Sequence, residues 1–134
     1  MGMTPAIDVL LDARKLLART DGWIQRHRAQ RVNGTVAYCI EGALEAAAPE
    51  AFLFLDACAR VQSVVGYSIP AYNDVPGRQQ SEVVEIIDRA IQAEWRGDPV
   101  PSVAHIVPPA DVLELLQAAS YVVPPHAAVP PDAA

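Results

Sequence analysis

The stretch YSIPAYNDVPGRQQSEVVEIIDRAI, residues 67–91, sets a corner directly before a helix. Residues 79–95 predict the most regular helix of the chain. Val83, Val84, Ile87, Ala90, Ile91 and Trp95 fall on one stripe, and Glu82, Glu85, Asp88, Arg89 and Glu94 fall outside it. Gly97 closes the helix. Ahead of it, Pro76-Gly77 suits the two central positions of a type II turn. Tyr72, Asn73, Asp74 and Arg78 crowd this corner, and two readings fit them. In one, Asn73 and Asp74 form local Asx-turns, with Asp74 satisfying amides around the turn or pairing with Arg78. In the other, the four residues form a small polar ligand site, with Arg78 and the helix N-terminus offering a place for an anion.

Working outward, the N-terminal segment predicts a helix over about 5–20. Thr4 is the cap, Pro5 stands at the first helical position, and Gly22 is the stop. Ile7, Leu10, Leu11 and Leu17 share its apolar face. Asn33-Gly34 is a strong hairpin signal. A two-residue turn there pairs Val32 with Thr35, Arg31 with Val36 and Ala29 with Tyr38, in a hairpin over about 23–39. Arg26, His27, Arg28 and Arg31 make its first arm basic. That charge suits a solvated edge strand, or contact with a phosphate or an acidic partner. CIEGALEAAA (39–48) predicts a short helix, and Pro49 the first residue of the next. Phe52, Leu55 and Ala59 make one face of that helix, with Leu53, Phe54 and Val61 close by. Such breadth implies a largely buried element ending near 63–66.

The 134 residues imply one core-forming unit. Hydrophobic residues are 51% and aromatic residues only 6%, which suits closely packed helices. The fold class expected is mainly α: four or five helices and one small hairpin around Leu10, Leu17, Leu44, Leu55, Ile87 and Ile91. Residues 1–97 form the helical domain and 98–134 a Pro-rich extension. That extension carries eight of the twelve prolines, one short helix at about 109–119, and a PPII-like end.

Composition excludes several functions. Net charge is −6, with a basic excess confined to residues 1–31. The acidic majority argues against a dedicated nucleic-acid binder. No apolar run is long enough to span a bilayer, and charge interrupts the N-terminus too often for a signal peptide. Cys39 and Cys58 are not in a CxxC pair and have no His at ligand spacing, so neither a metal nor a cofactor is expected. A cytoplasmic protein with free thiols follows, and the NGT glycosylation triplet at 33–35 goes unused. No Gly-rich phosphate loop, HExxH, serine elbow or paired-carboxylate motif is present.

YCIEGAL (38–44) and the corner segment resemble an uncharacterised family. Its small proteins, from actinobacteria and their phages, are described only as a domain of unknown function. Tyr38-Cys39, Gly42-Ala43-Leu44, Tyr72-Asn73-Asp74 and Gly77-Arg78 carry the resemblance, which covers roughly residues 5–95. Members show a tryptophan before the Asn and a Thr or Ser after the Arg, where this chain has Tyr72 and Gln79. The resemblance implies a fold and a site but no activity.

Cys39 precedes a helix whose N-terminus lowers a thiol pKa, so it is a candidate nucleophile. The reading preferred is a small buried residue that lets the helix, thinned by Gly42, pack tightly on the hairpin. The pairing register sets Arg28 opposite Cys39 and turns His27, the nearest candidate base, away. His105 and His126 lie in the tail, and Cys58 lies in the core. Two functional readings follow. One is a non-enzymatic accessory or interaction protein, encoded by a phage or mobile element and associating with a protein or with itself. The other is a small enzyme or polar-ligand binder using Cys39, Asn73, Asp74 and Arg78.

Overall fold

The computed structural model describes residues 4–100. Its elements run α1 (Pro5–Ala18), β1 (Ala29–Val32), β2 (Thr35–Tyr38), α2 (Ile40–Ala47), α3 (Ala51–Val65), α4 (Ile69–Asn73) and α5 (Gln80–Arg96). Among the described residues the protein is mainly helical with one antiparallel hairpin, as its composition implies. The expected helix near 109–119, the Pro-rich end, His105 and His126 all lie outside the described residues.

Helix α1 is central and packs against α2, α3 and α5. Thr4 Oγ1 accepts from the Ile7 N–H, and Pro5 opens the helix. The helix ends at Ala18, earlier than expected, and Gly22 is not its stop. Arg19 is the C-cap, in extended backbone. Gly22 is instead a point of close approach, where a Cβ would stand 2.2 Å from the Leu16 carbonyl oxygen.

The hairpin has the register that Asn33-Gly34 dictates, with Ala29 opposite Tyr38 and Val32 opposite Thr35. Both turn residues have positive φ, 50° and 81°, as a type I′ turn requires. Its first strand starts at Ala29 rather than 23, because Arg26 turns into the left-handed region (φ 70°). Residues 22–24 run along the other edge of Tyr38. Tyr38 N–H donates to Gly22 O (2.9 Å) and Ile24 N–H to Tyr38 O (3.0 Å).

Gly42 explains how α2 sits on this platform. A Cβ there would lie 2.0 Å from the Arg28 carbonyl oxygen. Only a residue without a side chain allows that approach, which offsets the helix-propensity cost of glycine. Gly42→Ala is expected to destabilise the protein by about 1–3 kcal/mol, since backbone must shift. A urea midpoint equal to or above that of the parent protein would contradict this.

Each of the three later helices departs from expectation. Pro49 does not begin α3; Glu50 is the N-cap and Ala51 the first residue. The buried face of α3 is Leu53, Ala57, Arg60 and Val61. Phe52 and Leu55, expected in the core, are 57% and 62% exposed. The segment 69–73 is not loop but a short helical turn, capped where Ser68 Oγ accepts from the Ala71 N–H. In α5 the buried stripe is Val83, Ile86, Ile87, Ala90 and Ala93, and Trp95 faces outward. Leu10, Leu17, Leu44 and Ile87 are fully buried as expected, Ile91 is partly buried, and Leu11 is exposed.

Candidate functional site

The corner is built around Asn73, which is 1% exposed. Its Oδ1 accepts from Trp23 Nε1–H (2.8 Å) and from the Ile40 N–H (3.0 Å). Its Nδ2 donates to Ile24 O (3.2 Å) and to Asp74 Oδ1 (2.9 Å). An amide side chain offers two acceptor and two donor positions, and all four are engaged within the chain. Asp74 Oδ1 also accepts from the Arg26 N–H (2.8 Å). Gln25 Nε2 donates to the carbonyls of Asn73 (3.1 Å) and Val75 (2.9 Å). Three segments far apart in sequence therefore meet here: residues 23–26, the start of α2, and 73–75. Both side chains reach distant groups: Asn73 the Trp23 indole and the backbone of Ile24 and Ile40, and Asp74 the backbone of Arg26.

The turn that follows is the expected one. Arg78 N–H donates to Val75 O (3.0 Å), with Gly77 at φ 84°. Arg78 Nε donates to Tyr72 O (3.0 Å), and its guanidinium lies 3.7 Å from the Tyr72 ring centroid, a cation–π distance. Burial pushes the Tyr72 phenol above its ordinary pKa, against the pull of Arg78. Glu82 fills the place sketched for an anion. Its Oε1 accepts from the Gln79 N–H (2.7 Å) and its Oε2 lies 3.6 Å from Arg78. By accepting from the Gln79 N–H, the same carboxylate secures the start of α5.

Cys39 is the N-cap of α2. Its Sγ accepts from the Gly42 N–H (3.2 Å), and its own N–H donates to Arg28 O (3.2 Å). The helix N-terminus does not activate it. Burial pushes the Cys39 thiol above its ordinary pKa, outweighing the Gly42 N–H and Arg28. Burial pushes Cys58 further, to about 12. His27 is exposed. Arg28, from the basic arm, is held by Glu41 (3.2 Å) and Glu45 (2.9 Å) on α2. In timed alkylation at neutral pH, Cys39 is expected to react more slowly than a free peptide thiol, because little of it is thiolate. Labelling faster than the peptide control, read by mass spectrometry, would restore the nucleophile.

With this geometry in place, comparison with known families is decisive on kinship. A model described as a family of unknown function matches residues 1–93. The chain belongs to DUF6197. The DUF6197 match takes in the hairpin, the corner and all but the last turn of α5. No curated protein and no solved structure matches the chain.

Within this DUF6197 region, sequence reading identified Tyr72, Asn73, Asp74, Arg78 and Cys39, and the structure sets them around adjoining segments. It missed Trp23 and Gln25, which complete the corner. It also missed Arg60, which is 4% exposed on the inner face of α3. Arg60 Nε donates to Glu94 Oε1 (3.0 Å), its NH2 donates to the Asp98 carbonyl, and Thr4 Oγ1 donates to Glu94 Oε2 (3.0 Å). A single arginine in an otherwise apolar run was the available signal.

Proposed function

We propose that the protein is a non-enzymatic accessory protein of the cytoplasm, acting by association with another protein or with further copies of itself. The observation that carries this reading is Asn73, whose four hydrogen-bonding positions all meet groups of its own chain. The residues that looked most like a site thus serve to hold the hairpin, α2 and α4 together. Glu82 beside Arg78 and the raised pKa of Cys39 support the same reading. Among the described residues, no helix is long and apolar enough to cross a membrane. The two free thiols support a reducing compartment, and the acidic balance supports a protein partner over nucleic acid. Resemblance in the Cys39–Leu44 and Tyr72–Arg78 segments supports an actinobacterial or phage setting.

A second reading, a small enzyme or polar-ligand binder, draws on one observation. Cys39 adjoins Ile40, whose N–H bonds Asn73, so the thiol and the corner are neighbours. Purification of the tagged full chain from its host, with light scattering, separates the two. Association predicts a stoichiometric protein complex or a defined oligomer that survives Cys39→Ala. A monomer without a partner, whose melting temperature rises with a small anion only while Arg78 is intact, would establish the second reading instead.

A further inference from the structure

A hollow of about 320 Å³ lies between the later turns of α3 and the later turns of α5. Its polar lining is Arg60 and Ser63 from α3, Arg89, Gln92 and Arg96 from α5, and Asp98 from the segment that follows. Val64, Ala93 and Pro99 make up the rest, an apolar wall. The spacing explains the convergence. Arg89, Gln92 and Arg96 stand at i, i+3 and i+7 on α5, and Arg60, Ser63 and Val64 at i, i+3 and i+4 on α3, so each set shares one helix face. Ala93 is buried and carries only a methyl group, so it does not fill the space between them.

Charge is what marks this hollow. Three guanidinium groups line it, against Asp98 and the Glu94 that pairs with Arg60: three cations to two carboxylates, in a chain of net charge −6. The three arginines differ in how far the chain satisfies them. Arg60 is buried, with Nε on Glu94 and Nη2 on the Asp98 carbonyl, and the described residues give its Nη1 no partner. Arg96 is exposed and meets Asp98 alone, through Nη2 (2.9 Å) and Nε (3.3 Å). Arg89 is exposed and makes no hydrogen bond or ion pair among the described residues. A cation present only to complement the carbonyls at the end of α3 would donate to one of them, and Arg89 does not. A guanidinium is a planar fork of N–H donors whose geometry matches an oxyanion. Arg89 offers that whole fork, and Arg96 shares its own with a single exposed carboxylate.

We propose that this hollow binds a phosphorylated small molecule, with the phosphate held by Arg89 and Arg96 and the carbon part laid on Val64, Ala93 and Pro99. The anion has to compete with Asp98 for Arg96, and a phosphate, doubly charged and rich in acceptor oxygens, does so better than a carboxylate. The volume lies at the lower end of the range for small-molecule sites. The site is separate from the Arg78 corner and does not rest on the association reading.

Titration of the nitrogen-15-labelled full chain with phenyl phosphate, followed by NMR at constant ionic strength, tests it, with inorganic phosphate and acetate as comparison anions. Saturable amide shifts are expected in residues 60–64 and 89–98. Phenyl phosphate should bind more tightly than inorganic phosphate, which lacks the carbon part, and acetate should bind most weakly. Arg89→Gln should weaken phenyl phosphate by about tenfold or more, the size of a lost charge-assisted hydrogen bond. Its melting temperature should equal that of the parent protein, because the side chain holds no other part of the described fold. Arg96→Gln should weaken binding as well. Absence of saturable shifts overturns the proposal, as does phenyl phosphate binding no tighter than acetate, or Arg89→Gln binding as the parent does. Inorganic phosphate binding as tightly as phenyl phosphate overturns the small-molecule assignment. Shifts centred on Arg78 overturn the proposal in favour of the corner.

Discussion

Asn73→Ala is expected to lower the free energy of unfolding by about 3–5 kcal/mol, the upper range for one substitution. The mechanism is specific. Truncation leaves the Ile40 N–H and the Trp23 Nε1–H without the oxygen they share, and the Ile24 carbonyl and Asp74 without the amide. A buried donor or acceptor left unpaired costs about 1–3 kcal/mol. The sum is moderated because Trp23 and Ile24 are only partly buried and take some water. Urea denaturation should show a lower midpoint with an unchanged m-value. A loss below about 1 kcal/mol would mean that the corner is not what secures the hairpin to α2.

The second large effect is expected at Arg60. Arg60→Met removes the cation that faces Glu94 inside the α3–α5 contact, and takes the donor from the Asp98 carbonyl. Breaking one side of a buried ion pair leaves an uncompensated charge, so a cost of about 2–4 kcal/mol is expected. In thermal unfolding of a domain near this size, that is a fall of roughly 10–25 °C. The double variant Arg60→Met with Glu94→Leu removes both charges and should recover most of the loss. If the double variant is as unstable as the single one, the defect is lost packing of the arginine stem, not the stranded carboxylate.

Features governed by local physics were legible in the sequence. Asn33-Gly34 fixes the hairpin register because the turn requires two residues with positive φ. The 3.6-residue stripe of 80–96 fixes a helix, and Pro76-Gly77 fixes its entry turn. The orientation of α3 was not legible. Residues 52–55 are all apolar, so no face stands out, and the inner face is decided by Ala57 and by Arg60 meeting Glu94 across the core. The corner was legible in its residue types but not in its partners. Asn73 and Asp74 bond groups 33–50 residues away in sequence, and two of those groups are backbone N–H, which leave no mark in a side-chain pattern. The inward Trp23 and the outward Trp95 have the same difficulty, since an amphipathic ring fits either place.

The position of Asn73 also has a consequence for synthesis. The hairpin and the start of α2 are complete by residue 40, yet the side chain that ties them together arrives 33 residues later. At about 5–20 residues per second, that is an interval of roughly 2–7 s on the ribosome. Through that interval the Ile40 amide and the Trp23 indole lack their native acceptor, and α1 lacks α5. Closure therefore comes late, when α4 and then α5 emerge, and the N-terminal half does not settle as a separate early unit. A chain assembled in this order keeps that corner open to cellular chaperones until Asn73 has left the ribosome.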